Sequence, residues 1–329
     1  VQITATYSKP INDYNIPRDS WILWDLEDIK FGKEGNIDKL IEKHGEDIRE
    51  IVEEYSIDNI VKEYSDYPEL YILTNEIKED VVSEIAEETK YNNYGYSTEG
   101  CFLLLQSMKD DKLHTKSRFQ NEKKNLDMWY RIFGKTGKYG SPDKQYPDDI
   151  VFMKRIEKIC KDSTIDSRFI GEGDFDNEPM VIMAFLPVFT DRGEGYLSKM
   201  SKATKKLLEK HNVIPDYNII SINENGKGKD DIEKARKEAR NDGKKGVLVL
   251  SGLKCGLGVT IDNCDIVLLL NNNMGFDKIY QMMFRCMTSG KDKKCGFVVD
   301  LNIRRVMEVS INYASLIKPN EHPREATKY

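Results

Sequence analysis

The sequence predicts an α/β protein: a parallel sheet covered by helices, with a large, mainly helical segment ahead of it. Two observations carry this expectation. Between residues 179 and 302 lie the apolar runs PMVIMAFLP, YNIISIN, GVLVLS, DIVLLLN and CGFVVDL. A strand with one wet face alternates apolar and polar residues, whereas these runs are nearly continuous, as in a parallel sheet buried on both sides. The spacers LSKMSKATKKLLEKHN, KDDIEKARKEARNDG and FDKIYQMMFRC repeat apolar residues at helical spacing, with charge on the opposite face.

The elements follow in order. Residues 1–30 hold two short strands, VQITAT and SWILWDL, joined by a turn around Pro10 and Asn12. The chain opens inside the first of these strands, so a natural start upstream of Val1 is expected. Residues 31–178 read as an accessory segment of helices (KLIEKHGEDIREIVEEY, EIKEDVVSEIAEETK, DIVFMKRIEKIC) with one strand at residues 69–73. Loops rich in Asn, Gly, Asp and Pro separate them at residues 92–95, 137–147 and 171–174. Residues 179–302 form the parallel sheet domain, and residues 303–329 a closing helix and polar tail.

Composition sets bounds. Over 329 residues, 39% are hydrophobic and 32% charged, a globular balance with room for two cores. No apolar run approaches the ~20 residues of a membrane-spanning helix, and no membrane partner is expected. The six cysteines stand singly without a CxxC pair, so reduced core thiols and a reducing compartment are expected, and no metal site. The four histidines, 44, 114, 211 and 322, are too scattered to suggest a metal or a catalytic triad.

Net charge is −6, but it is unevenly spread. Residues 25–90 hold 21 acidic and 8 basic residues, while residues 107–140 hold 9 basic and 4 acidic. The basic stretch interleaves Lys116, Arg118, Lys123, Lys124, Arg131, Lys135 and Lys138 with Phe119, Trp129, Tyr130, Phe133 and Tyr139. Such a stretch either neutralises phosphates and stacks unpaired bases, or is an amphipathic helix with aromatics in the core and lysines in solvent.

In open parallel sheets, ligands gather beyond the carboxyl ends of the strands, which directs attention to the loops there. After GVLVLS comes Gly252-Leu-Lys-Cys-Gly256-Leu-Gly258-Val-Thr260. A dinucleotide fingerprint needs a helix after its glycines; these lead into another strand, which excludes a nicotinamide site. Close approach of backbone to a phosphate chain or ribose stays open, since glycine carries no side chain to obstruct it. Further on, Gln281 and Arg285 stand four apart, on one helical face, with Met282, Met283 and Met287 left for packing. A guanidinium forks onto phosphate oxygens and suits the charge that develops in phosphoryl transfer.

Together these residues resemble the C-terminal motor domain of superfamily 2 helicases, a RecA-like fold. Thr4-Ala5-Thr6 resembles motif III, the coupling segment that closes the first RecA-like domain; residues 181–187 resemble motif IV, 251–265 motif V, and 281–285 motif VI. The wider wording, including NNYGYSTEGCFLL and FIGEGDFDNEPMVIMAFLP, is similar to helicase-like proteins of nucleocytoplasmic large DNA viruses. The resemblance implies ATP as cofactor, with Mg2+ and the gripping lysine supplied by a domain upstream of Val1, because no GxxxxGK[ST] occurs here. It implies Arg285 as arginine finger with Gln281 beside it. Gly256, Gly258, Thr260 and Asp262 would face ATP, and Ser251 and Lys254 the nucleic-acid backbone. RNA or DNA is the implied partner, bound without sequence preference through these and through Lys116, Arg118, Lys123, Lys124 and Trp129 of the accessory segment. A place in viral transcription machinery follows, in the host cytoplasm and the virion. Two positions depart from the family: Thr288 stands where a second arginine is usual, and Thr260 where motif V has an aspartate. The rival readings are a translocase that separates no strands and a non-catalytic RecA-like scaffold.

Overall fold

A computed structural model describes residues 24–75, 98–104, 118–134, 147–163, 169, 178–189, 195–222, 228–252, 264–271, 275–288, 290 and 293–317. Among the described residues, four helices come first: α1 Leu26–Glu34, α2 Ile37–His44, α3 Asp47–Tyr55 and α4 Ile57–Tyr64. The strand expected over SWILWDL gives way at its end to the start of α1. Asp25 caps that helix, accepting from the amides of Glu27 and Asp28 at 2.8 and 3.3 Å, while Asp28 accepts from the Asp25 amide at 2.7 Å. This reciprocal capping satisfies amides that a helix start otherwise leaves open. The single helix expected over KLIEKHGEDIREIVEEY is two, separated at Gly45.

Lys43 and His44, at the end of α2, return to the same cap. The Lys43 ammonium lies 2.9 Å from Asp25 Oδ2 and 3.1 Å from Asp28 Oδ1, and His44 Nε2 lies 2.7 Å from Asp28 Oδ1. Asp28 is fully buried, and a buried carboxylate is tolerated only when paired in this way.

Next come β1 Glu69–Leu73, a short turn of helix α5 Glu99–Phe102, α6 Glu122–Phe133 and α7 Phe152–Ser163. The alternating region follows as β2 Met180–Phe185, α8 Tyr196–Lys210, β3 Tyr217–Ile222, α9 Lys229–Asn241, β4 Gly246–Ser251 and β5 Cys264–Leu269. It continues with α10 Phe276–Met283, a 3-10 turn Phe284–Met287, β6 Cys295–Asp300 and α11 Ile303–Ile317. The six strands among the described residues are all parallel, in the order β1-β6-β5-β2-β4-β3. This is the RecA-like α/β class the sequence predicts.

Every residue of β2, β4, β5 and β6 is buried, which explains their unbroken apolar runs. Alternate residues serve opposite faces. Ile182, Ala184, Leu248, Leu250, Ile266 and Phe297 pack in one cluster with residues of α6, α7 and α8. Val181, Met183, Val247, Val249, Val267 and Val298 pack in the other with residues of α9, α10 and α11. At roughly 1.5–3 kcal/mol for each large apolar side chain, these two layers dominate the stability.

The accessory segment does not stand apart from the sheet. Strand β1 pairs with β6 from Glu69↔Cys295 to Leu73↔Val299, extending the sheet by one edge strand. Trp129, Phe152 and Ile156 share the core of the first face. A division at residue 179 therefore cuts through one sheet. The physical reason is that β6, buried along its whole length, would otherwise present an unpaired edge.

Polar groups of the segment also reach the carboxyl ends of the strands. Thr98 Oγ1 donates to Leu270 O at 2.6 Å, Asn75 Nδ2 to Leu301 O at 2.9 Å, and Arg155 to Thr74 O at 2.8 Å. The strands expected at residues 1–22 and the helix over EIKEDVVSEIAEETK lie outside the described residues. Among the described residues, no helix is long and apolar enough to cross a membrane.

Candidate functional site

Helix α10 begins after the carboxyl end of β5 and runs back across the second face of the sheet. Ile279, Met282 and Met283 fix its buried side, and Met282 Sδ accepts from Asn271 Nδ2 at 3.3 Å. Phe276, Tyr280 and Phe284 form a ladder on the helix, with ring centroids 5.4 and 4.3 Å apart, and Tyr280 reaches Tyr313 of α11 at 6.1 Å. The α-helix stops at Met283 and tightens into the 3-10 turn. Arg285 therefore sits in that turn rather than one regular helical turn beyond Gln281. Both side chains remain partly exposed, while Cys286 and Met287 are buried beneath them.

The turn lies at the amino-terminal ends of β5 and β6. Lys293 Nζ donates to the carbonyl of Cys264, the first residue of β5, at 2.6 Å, and to the carbonyl of Thr288 at 2.7 Å. Gly296, second in β6, lies so close that a Cβ there would stand 2.1 Å from Cys286 O. The expectation that the site gathers beyond the carboxyl ends is thus corrected for Gln281 and Arg285. A helix that leaves the carboxyl end of one parallel strand must return to the amino end of the next, and these residues stand at the end of that return.

The same edge is where the chain re-enters the sheet after residues 253–263. Gly256, Gly258, Thr260 and Asp262, together with Lys254, lie outside the described residues. Asp265 is inside the sheet, with Oδ2 accepting from Val181 N at 2.8 Å where the β2–β5 register shifts. The thiols of Cys264 and Cys286 are pushed up by burial, that of Cys286 to about 12. They are core thiols as the sequence predicts, and Cys101, Cys160 and Cys295 are buried thiols as well; Cys255 lies outside the described residues.

Ser251, expected against a phosphate backbone, is fully buried. It ends β4 between two flanking strands, and its hydroxyl meets no hydrogen-bond partner among the described residues. Its side chain does not reach the surface. Trp129 is corrected too: the indole is fully buried on α6, stacks on Phe133 at 5.9 Å, and donates from Nε1 to Asn125 Oδ1 at 3.0 Å. Of the aromatics of the basic stretch, Phe119 and Trp129 are core and Tyr130 and Phe133 pack half-buried against it, because α6 turns its apolar face to the sheet, leaving Lys123 and Lys124 in solvent; Tyr139 lies outside the described residues. Arg118 is also exposed. Lys116 and the residues expected to form motif III, Thr4, Ala5 and Thr6, lie outside the described residues.

Two features escape sequence reasoning. Lys293 belongs to the run KDKK, which reads as a solvated surface, yet it is 1% exposed. Arg305 is equally buried, forked onto both oxygens of Asp300 at 2.6 and 2.7 Å and bonded to the carbonyls of Leu269 and Asn271. Their charge gave no hint of burial, since only tertiary packing brings carbonyls and a carboxylate to them.

No protein-family model matches the sequence, and no curated protein matches it either. Among solved structures, the chain is similar to the C-terminal part of the Fun30 ATPase domain, with 12% identity and a TM-score of 0.31 over 74% of this chain and 89% of that one. It is similar to domain 2 of the DEAD-box helicase Mss116p bound to an RNA duplex, at 14% identity and a TM-score of 0.26, covering 48% and 52%. It is also similar to the DUF1998 helicase MrfA bound to DNA and AMPPNP, at 12% and 0.26, covering 58% of this chain and 22% of that one. Likenesses of this degree carry no weight for function.

Proposed function

We propose that this chain is the second RecA-like half of a superfamily 2 motor, a nucleic-acid-dependent ATPase that moves along or unwinds RNA or DNA. The observation that carries this reading is the placement of Arg285 and Gln281. Both are partly exposed, and the turn that carries Arg285 is tied to the start of β5, which follows the glycine-bearing residues 253–263 in the chain. The Arg285 guanidinium, charged at any physiological pH and able to fork onto two oxygens, would hold the γ-phosphate oxygens as charge develops on them. Gln281 would orient the attacking water or the phosphate beside it. ATP would be shared with a preceding RecA-like domain, which in this reading supplies the gripping lysine and the Mg2+ ligands. Among the described residues, no cluster of His, Cys, Asp or Glu offers a metal site of its own.

On the nucleic-acid side, Lys254 with the exposed Arg118, Lys123 and Lys124 would neutralise phosphates, and such contacts carry no base information. The sequence wording similar to that of large DNA viruses supports a role in viral transcription or genome processing, in the host cytoplasm and the virion. The second reading, a non-catalytic RecA-like scaffold, is favoured by Thr288 in place of a second arginine.

The test is ATP hydrolysis by the protein extended upstream of Val1, with and without single-stranded RNA or DNA, alongside Arg285→Ala. Turnover stimulated by nucleic acid, and falling by on the order of 10³-fold or more in the variant, supports a motor with Arg285 as its finger. Turnover indifferent to Arg285, or none, moves the assignment to the scaffold. Strand displacement then separates a helicase from a translocase.

A further inference from the structure

We infer that Lys293 is a positioning residue for Arg285: its buried ammonium fastens the turn that carries the guanidinium to the start of β5. This rests on the reading of Arg285 given above. The observation is a short chain of hydrogen bonds. Lys293 Nζ donates to Thr288 O at 2.7 Å, and Thr288 Oγ1 donates to Arg285 O at 3.2 Å. The same ammonium donates to Cys264 O at 2.6 Å, at the residue where segment 253–263 ends. One cation thus joins the carbonyl after the arginine turn to the exit of the segment expected to face ATP.

A lysine 1% exposed loses its hydration, and its ammonium donors turn to carbonyl oxygens instead. An apolar side chain of similar length would fill the space without that cost, but would leave two carbonyls at the turn unsatisfied and the turn untied. Beneath the turn the fit is already close, since Gly296 admits Cys286 O where any Cβ would collide. Lys293 closes the turn from its other end. It also brings a buried positive charge onto the carbonyl of Thr288, at the end of the turn. That charge is felt locally, drawing down the thiols of both Cys264 and Cys286 against the larger upward push of burial.

A guanidinium misplaced by about 1 Å can cost on the order of 100-fold in rate. In the upstream-extended protein, Lys293→Met is therefore expected to lower kcat about 10- to 100-fold, with KM for ATP changed less than about 3-fold. In the Arg285→Ala background the same substitution should do nothing further to kcat, because a residue acting through another shows no independent effect. An equal loss of kcat in both backgrounds would overturn the proposal in favour of general destabilisation.

Amide hydrogen exchange in the same protein supplies a readout without activity. Lys293→Met should speed exchange at residues 284–288 and 264–266 and leave β2 and β4 protected. Unchanged protection at 284–288 would overturn the tether whatever the turnover shows. If wild type shows no stimulated turnover while exchange changes as expected, the motor reading fails, taking Lys293's role in turnover with it, and the tether stands.

Discussion

The indole of Trp129 lies between the face of Phe133 and the edge of Phe102, with its N–H held by Asn125, whose own amide donates to Cys101 O at 2.9 Å. One side chain thus serves packing and the hydrogen-bond balance of α5 and α6 together. Trp129→Ala is expected to cost about 3–5 kcal/mol of unfolding free energy by urea titration, as deletion of a buried aromatic ring does. The folded variant should keep its affinity for single-stranded RNA or DNA. Lys123→Gln with Lys124→Gln should do the reverse, leaving stability within about 0.5 kcal/mol while flattening the dependence of log affinity on log salt by ~1.4, or about 0.7 for each phosphate no longer neutralised. If binding and its salt slope stay unchanged in the double variant, α6 is not part of the nucleic-acid track. The chemistry of these side chains was legible in the sequence, but which half of an amphipathic stretch meets solvent depended on what the helix packs against.

At the scale of elements, the site depends on how α10 ends. A continuous helix would have set Arg285 one turn above Gln281; the 3-10 turn draws it down toward β5 and β6. The backbone of Cys286 approaches β6 at Gly296 closely enough to require glycine. Gly296→Ala is expected to push the turn off the strand. Its signature would be a drop in melting temperature together with a loss of stimulated ATP turnover at a temperature where the variant is still folded. Normal turnover in folded Gly296→Ala would show that the turn tolerates displacement. Helix α1 illustrates the opposite case, an element whose start is written locally. Asp25 and Asp28 make a capping box, and Gly35 ends the helix at φ 65°, a conformation that glycine adopts without strain. The sequence pattern for this start was present, although strand propensity in SWILWDL masked it.

Across the whole molecule, the sheet is held by ion pairs between a covering helix and the start of a central strand, as well as by its two apolar layers. Arg236 of α9 is nearly buried and reaches Glu178, just ahead of β2, at 2.6 Å, as well as Glu233 at 3.0 Å. The guanidinium beside Glu178 holds its carboxyl below the ordinary glutamate range. A depressed carboxyl adds stability above its unfolded value of about 4.3, and that stability is lost as pH falls through the lower folded value. Melting temperature followed from about pH 7 to about pH 3 should therefore fall less steeply below about pH 4.3 in Glu178→Gln than in wild type, although the variant melts lower at neutral pH. Parallel curves would mean that the pair contributes nothing to acid sensitivity.

By itself the sequence determined the class of this protein. Continuous apolar runs fit strands buried on both faces, and helical spacing after β2, β3 and β5 fits parallel connections, so most of the sheet from β2 to β6 follows from periodicity. That β5, reached from β4 without a described helix between them, is also parallel was decided by the fold. The sequence also singled out Gln281 and Arg285 by residue type. Tertiary structure alone decided that β1, more than a hundred residues before β2, pairs with β6, because pairing between distant segments leaves no local trace. It alone decided that the arginine turn meets the amino ends of the strands, and that Lys293 and Arg305 are interior. A charged side chain looks the same in sequence whether water or a ring of carbonyl oxygens surrounds it, and only the folded chain supplies the carbonyls.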